Sequence, residues 1–82
     1  MTKILYFGRL SDLTGKTDEM LTLPQDINSA GQLRTWLDNR FKTDGALLDP
    51  TVRIAINSEI ILDTAPLNDA DEIALMPPVG GG

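Results

Sequence analysis

The sequence predicts an α+β domain in which one main helix packs on a mixed sheet of four to five strands, followed by a flexible C-terminal tail. Three observations support this fold class. Short apolar runs typical of strands lie near both ends of the chain, one central stretch has helical periodicity, and 82 residues provide for only one core. We therefore divide the chain into a domain of residues 1–76 and an extended tail of residues 77–82.

The first predicted strand comprises residues 3–7, which are rich in β-branched and aromatic side chains. Ile4 and Tyr6 point to one face of this strand, and Leu5 and Phe7 point to the other. Because both faces are apolar, we expect the strand to be central in its sheet.

Local sequence patterns predict the structure of four shorter segments. Residues 9–14 could form one helical turn, and residues 18–23 alternate between apolar and polar side chains, which predicts an edge strand. Residues 44–50 and 66–71 are dense in turn formers and are predicted to be loops.

The main helix is predicted to begin at Ser29, because Ser29 and Gln32 have the spacing of a capping box. Its apolar stripe comprises Ala30, Leu33, Trp36, Leu37 and Phe41. We interpret the tryptophan of this stripe as a core anchor rather than a binding residue. Arg34, Asp38 and Lys42 fall off the stripe.

The last part of the domain is predicted to contain three strands. Residues 51–57 alternate cleanly, and Asn57-Ser58 turns the chain into residues 59–62, which predicts a hairpin. The inward positions of its first strand are Val52, Ile54 and Ile56. Residues 72–76 form the final strand and lead directly into the tail.

This order of strands and helix predicts a β-grasp arrangement, with the first and last strands parallel at the centre of the sheet. One helix covers only one face of such a sheet. The other face leaves Phe7, Ile60 and Met76 as a candidate surface for a partner. Long loops could cover these residues instead, and both interpretations stay open.

Composition excludes several classes of function. The net charge of -5 and the pI of about 4.3 disfavour nucleic acid and acidic membranes as partners. The chain has no cysteine and no histidine, so we expect no disulfide and no catalysis by its own side chains. Asp69, Asp71 and Glu72 lack the spacing of a calcium loop and are interpreted as solvated charges of a turn. With no signal peptide or membrane span in the sequence, the expected location is the cytoplasm.

The tail has the most unusual composition of the chain. Pro77 and Pro78 fix φ and cannot continue a strand, and Gly80-Gly81-Gly82 carries no Cβ atoms. Residues 77–82 can span roughly 20 Å when extended, which is enough to enter a narrow channel of another protein. The group delivered there would be the terminal carboxylate of Gly82. The alternative is a frayed terminus without a function.

Several motifs along the whole chain carry a family resemblance. They are residues 4–8 with Leu13 and Gly15, Ile56-Asn57, residues 66–73, and Pro77-Pro78-Val79 with Gly81-Gly82. On these motifs the chain resembles the small, sulfur-carrying subunit of molybdopterin synthase, the MoaD type of ubiquitin-like protein. It departs from the family pattern at Ser11, where an arginine is frequent, and at Leu75 and Met76, where aromatic residues are common.

The resemblance implies a ubiquitin-like β-grasp and a defined role for the tail. A partner activating enzyme of the E1-like class consumes ATP to adenylate Gly82, and a sulfurtransferase supplies sulfur to form a thiocarboxylate. The tail then enters the large subunit of the synthase, in a heterotetramer, and gives its sulfur to cyclic pyranopterin monophosphate. Gly81 lets a narrow site close around the backbone. Residues 77–80 contact the partner, and the chain itself binds no cofactor and no metal.

Two other functions remain open at this stage. The chain could be a sulfur carrier of another pathway, of the thiamine thiazole or tungsten-pterin type, or a protein modifier of the same fold. It could also be a β-grasp interaction module whose tail is never activated.

Overall fold

The computed structural model describes residues 1–68 and 71–78. Its elements are, in chain order, β1 (Thr2–Tyr6), α1 (Arg9–Thr14), β2 (Asp18–Leu21), α2 (Ala30–Phe41), a 3₁₀ turn (Ala46–Leu48), β3 (Arg53–Ile56), β4 (Glu59–Ile61) and β5 (Glu72–Met76). The predicted helical turn after the first strand and the predicted main helix are both confirmed.

The strands form one sheet in the order β2-β1-β5-β3-β4. β1 and β5 pair in parallel, and the other neighbouring strands are antiparallel. β2 is an edge strand, and β3 and β4 form a hairpin whose turn residues Asn57 and Ser58 have φ of 51° and 74°. The predicted β-grasp, with the first and last strands side by side inside the sheet, is therefore confirmed.

Alternation along the strands places one face of the sheet against α2. In β1, Thr2, Ile4 and Tyr6 are buried, while the residues between them are half-buried. The core that joins this face to α2 includes the fully buried Ile4, Leu33, Leu37, Ile54, Ile73 and Leu75. Two of the three predicted inward residues of the hairpin, Val52 and Ile54, are buried, and Ile56 is half-buried.

The capping box at the start of α2 is confirmed. The backbone N–H of Gln32 donates to Oγ of Ser29 at 3.3 Å, and the N–H of Ser29 donates to Oε1 of Gln32 at 3.1 Å. Two backbone donors that have no partner inside the helix are thereby satisfied. Trp36 is half-buried and packs against the core, so it lies at the margin of the core and not at its centre.

Arg34 falls off the apolar stripe, yet only 7% of the residue is exposed. Its guanidinium donates to the carbonyl oxygens of Leu47 at 3.1 Å, Asp49 at 3.2 Å and Val52. Its Nε also donates to Oδ1 of Asp63 at 2.9 Å. Helical periodicity cannot predict this burial, because the acceptors belong to the loop after α2, which folds back over the polar flank of the helix.

Asp38 is likewise buried, with 8% of the residue exposed. Its carboxylate accepts hydrogen bonds from the hydroxyl of Thr43 and from the backbone N–H groups of Gly45 at 3.0 Å and Leu47 at 3.3 Å. The Thr43 hydroxyl and these N–H groups lower the pKa of Asp38. The predicted loop of residues 44–50 therefore contains a 3₁₀ turn, which the carboxylate holds against α2.

Glu19 on β2 is the centre of an ionic cluster at the sheet edge. It accepts from both terminal nitrogens of Arg40 at 2.8 Å, from the Tyr6 hydroxyl at 2.6 Å and from Lys16 at 3.2 Å. The hydrogen bonds from Arg40 are the main cause that lowers the pKa of Glu19 from 4.5 to about 2. Only 8% of the Glu19 side chain is exposed.

Replacing Glu19 by glutamine should remove part of the acid sensitivity of the fold. A carboxyl whose pKa is lower in the folded chain stabilises that state above its ordinary pKa, and this stabilisation is lost as pH falls. In the wild type, about 2 kcal/mol of the free energy of unfolding should be lost as pH falls from about 5 towards 2. Urea titrations at several pH values measure it.

The matched control is Glu59→Gln, because Glu59 is an exposed carboxylate on β4. Glu59→Gln should follow the wild-type pH dependence, and Glu19→Gln should show a shallower one. Equal pH dependence in Glu19→Gln and the wild type would contradict a role for the cluster.

Candidate functional site: the root of the C-terminal tail

The C-terminal tail begins at the end of a strand inside the sheet. We call its first two residues, Pro77 and Pro78, the root of the tail. β5 ends at Met76, and it is hydrogen-bonded to β1 on one side and β3 on the other. Pro77 and Pro78 follow and are half-buried. The predicted site residues Val79, Gly80, Gly81 and Gly82 lie outside the described residues, so their predicted roles stay predictions. A strand paired on both sides fixes the direction in which the tail starts.

Gly8, which directly precedes α1, lies close to Pro77 at the root of the tail. Its backbone has φ of 55° and ψ of -136°, a conformation that favours glycine. A Cβ atom at this position would lie 2.9 Å from Cγ of Pro77. The N–H of Phe7 donates to the carbonyl oxygen of Leu75 at 3.0 Å and extends the β1–β5 pairing to this point. In the sequence, Gly8 marked only the end of a strand, because its contact with Pro77 depends on the pairing of distant strands.

Replacing Gly8 by alanine should cost more stability than the same change at Gly15. Gly15 also has a positive φ, of 78°, but nothing lies within 4 Å of a Cβ added there. Gly15→Ala should lower the free energy of unfolding by about 1 kcal/mol through backbone strain alone. Gly8→Ala adds the clash with Pro77 and a backbone conformation that is less tolerant of a Cβ atom than the left-handed one at Gly15, and we expect a loss of about 2–3 kcal/mol in thermal or urea unfolding. Equal losses would show that the Pro77 contact does not matter.

The residues predicted for a partner surface surround the root of the tail. Phe7 is 47% exposed and Ile60 is 62% exposed, and Met76 is half-buried. Phe7 and Ile60 are therefore not covered by any loop in the described part of the chain. That a partner covers them stays a prediction.

A groove of about 430 Å³ brings most of these residues together. It is lined by Pro50, Thr51, Arg53, Ile60, Met76, Pro77 and Pro78. Phe7 does not line the groove, but it follows Tyr6, which pairs with Leu75. The sequence reasoning missed Pro50 and Arg53, because the groove forms only when β3 and β5 pair. Among the described residues that line the groove, Arg53 is the titratable side chain.

Asp71 corrects the interpretation of the turn before β5 as solvated charges. It is 7% exposed, and it accepts from Nδ2 of Asn57 at 3.0 Å and from the N–H of Asn68 at 2.7 Å. Oδ1 of Asn57 in turn accepts from the N–H of Glu72 at 2.9 Å. These bonds tie the start of β5 to the hairpin turn, a contact between segments that composition alone cannot reveal. Asp69 lies outside the described residues.

The described residues hold no other candidate centre of chemistry. Across residues 1–68 and 71–78, no group of three or more His, Cys, Asp or Glu side chains could hold a metal ion. No helix in the same residues is long and apolar enough to cross a membrane.

Comparison with known proteins assigns the family. The model of the ThiS family matches residues 4–82. A molybdopterin synthase sulfur carrier subunit from Dictyostelium discoideum is 32% identical over 82 residues, which cover 98% of this chain and 94% of the relative.

Two solved structures have the same fold. One, from Pyrococcus furiosus, is assigned to subunit 1 of a molybdopterin converting factor; it has a TM-score of 0.79 and 26% identity, over 95% of this chain and 97% of that chain. The other belongs to a complex of subunits 1 and 2 of the molybdopterin-converting factor from Helicobacter pylori, with a TM-score of 0.64 and 27% identity, over 99% of this chain and 97% of that chain. With its full-length match, its ubiquitin-like β-grasp and its Gly-Gly end, the chain belongs to the ThiS family.

Proposed function

We propose that this chain is the sulfur carrier subunit of a molybdopterin synthase. The observation that carries the proposal is a family match that extends to residue 82 and so includes the Pro-Pro-Val-Gly-Gly-Gly tail. Relatives named for this role match almost the full chain. A structural relative in a two-subunit complex of the converting factor supports a large-subunit partner. In this proposal the chain carries sulfur and is not a catalyst by itself.

The reactive group would be the carboxylate of Gly82, which must first be activated. A terminal carboxyl has a pKa near 3.5, so it is ionised at neutral pH and is a poor acyl donor. A carboxylate oxygen attacks the α-phosphorus of ATP on an E1-like activating enzyme, and pyrophosphate leaves. Sulfur from a sulfurtransferase, delivered at the oxidation level of sulfide, then attacks the acyl carbon. AMP leaves with the original oxygen, and a thiocarboxylate remains on Gly82.

The large subunit would receive this thiocarboxylate. Its sulfur is transferred to cyclic pyranopterin monophosphate on the way to the dithiolene of molybdopterin, and water restores the carboxylate of Gly82. Because the chain has no histidine and no cysteine, the proton transfers of these steps fall to groups of the partner.

The fold supports this role through the rigid start of the tail. Beyond Pro78, four residues can span at most about 14 Å. A terminal group on such a short tether reaches a fixed point in a partner only if its root is held in place. β5, paired on both sides, and the Gly8 contact with Pro77 provide that support.

Reconstitution tests the proposal. The thiocarboxylated chain is mixed with a molybdopterin synthase large subunit and cyclic pyranopterin monophosphate, and the product is converted to a fluorescent pterin derivative and quantified. We expect molybdopterin to form, and the unactivated chain, with an ordinary carboxylate, should yield none. A thiazole synthase assayed in parallel tests the thiamine-type alternative. Sulfur transfer to the thiazole precursor and none to the pterin would contradict the proposal.

A further inference from the structure

The outward face of the sheet beside the tail is apolar. One residue from each of four neighbouring strands lies in the same row across the sheet, because each is the Cα partner of the next. They are Leu5 of β1, Ala74 of β5, Ala55 of β3 and Ile60 of β4. Phe7 and Met76 extend this face toward the tail. We call these six residues the tail-root face.

Arg53 is the charged residue that adjoins these six at the tail end of the face; Lys3 and Glu72, which are Cα partners of each other, lie on the same face at its other end, near the starts of β1 and β5. Arg53 is the Cα partner of Met76, it is exposed, and it lines the groove with Ile60 and the two prolines. Ion pairs in the described residues include those of Lys16, Arg34 and Arg40 with carboxylates, and Arg53 takes part in none of these three. A cation therefore lies among apolar side chains on a chain whose net charge is -5.

Covering the tail-root face would remove Arg53 from water. A charge buried without a partner is costly, and a single apolar protein surface placed over it would bind poorly. A carboxylate from the covering protein offsets this cost and forms charge-assisted hydrogen bonds with the guanidinium. Backbone carbonyls can also accept from a buried guanidinium, as they do for Arg34, but a carboxylate neutralises the charge as well. The partner surface that fits this face best is therefore apolar and contains an acidic side chain.

The length of the tail distinguishes a protein carboxylate from a phosphate of the substrate. A substrate that reacts with Gly82 meets the end of the tail, up to about 14 Å beyond Pro78. Arg53 lies at the other end, beside Met76 and Pro78. If the tail is extended when it is inserted, the substrate lies away from Arg53, and we assign the group that Arg53 faces to the protein around the tail.

We propose that Arg53 strengthens binding of the synthase large subunit by pairing with one of its carboxylates when that subunit covers the tail-root face. This inference rests on the proposed function, because it takes the large subunit as the occupant. Arg53 acts on binding and not on the chemistry at Gly82.

The test measures the dissociation constant between the chain and a molybdopterin synthase large subunit at low and high salt. Arg53→Gln should bind at least about tenfold more weakly, and Arg53→Glu at least about a hundredfold more weakly, because two carboxylates would then face each other. Arg53→Lys should retain most of the affinity. Salt should weaken binding of the wild type more than binding of Arg53→Gln.

The matched control is Lys42→Asn. It removes the same charge at an exposed position after α2, where φ is 54° and asparagine is tolerated. This control should bind within about twofold of the wild type, because Lys42 follows α2, which packs on the other face of the sheet from the tail-root face. Thermal unfolding of each variant confirms that the fold is intact.

Two results would overturn the inference in distinguishable ways. If the wild type binds and transfers sulfur while Arg53→Gln and Arg53→Glu bind equally well, the pairing is wrong and the proposed function stands. If the wild type neither binds the large subunit nor transfers sulfur to the pterin, the proposed function fails and the inference fails with it. Restored binding of Arg53→Glu by a lysine in place of one partner carboxylate would identify the paired residue.

Discussion

A chain that ends at Gly81 should fold normally and transfer almost no sulfur. Removing Gly82 shortens the extended tail by about 3.5 Å and withdraws the reacting carbon from its position. A misplacement of even about 1 Å can cost about a hundredfold in rate, so we expect sulfur transfer to fall by more than that factor. Unfolding should not change, because the core lies within residues 4–75.

A chain with one alanine added after Gly82 also tests whether the position of the terminal carboxylate matters, here by lengthening the tail. It retains every residue of the tail but moves the carboxylate and gives the terminal residue a Cβ atom. We expect the same loss of molybdopterin formation and the same unfolding midpoint as in the wild type. Sulfur transfer by either variant at near wild-type rate would contradict the mechanism.

Replacing Arg34 by alanine should be the most destabilising single change considered. It leaves the buried carbonyl oxygens of Leu47 and Val52 without their donor and removes the link between α2 and the loop that follows it. Breaking a buried charged network costs about 3–5 kcal/mol, and a domain of this size is stable by only about 4–12 kcal/mol. Arg34→Ala should therefore lose much of its stability, as measured by urea unfolding.

Two variants separate the carbonyl contacts of Arg34 from its ion pair. Asp63→Asn weakens only the pair with Arg34, and the Asp63 side chain is 60% exposed, so its effect should be small. Arg34→Lys retains the charge but cannot reproduce the fork of donors, so it should recover only part of the stability. A loss in Asp63→Asn as large as that in Arg34→Ala would show that the ion pair, and not the carbonyl contacts, is the main stabilising interaction.

The sequence predicted the elements whose signals are local. Alternation in β1, the capping box of Ser29 and Gln32, and the Asn57-Ser58 turn all depend on neighbouring residues, and each is confirmed. The order of these elements then limited the topology to a β-grasp.

Contacts between distant segments were not predictable in this way. Arg34 and Asp38 fall off the apolar stripe, so the helical pattern gave no sign that they are buried, and only the folded loop supplies their partners. Asp71 was interpreted as a solvated charge because it lies in a turn, and its partner Asn57 comes from the hairpin turn between β3 and β4, earlier in the sequence. At the candidate site, the sequence indicated Ile60 and Met76, but the contact of Gly8 with Pro77 and the place of Arg53 in the groove depend on strand pairing.

The most direct test of the sulfur-carrier function is the intact mass of the chain after incubation with an E1-like activating enzyme, ATP and a sulfur donor. The chain has no cysteine, so sulfur cannot be retained as a persulfide on a side chain. We expect a mass gain that equals the exchange of one oxygen for one sulfur, and fragmentation should place it at Gly82. An unchanged mass, or sulfur at any other position, would contradict the role of this chain as a sulfur carrier.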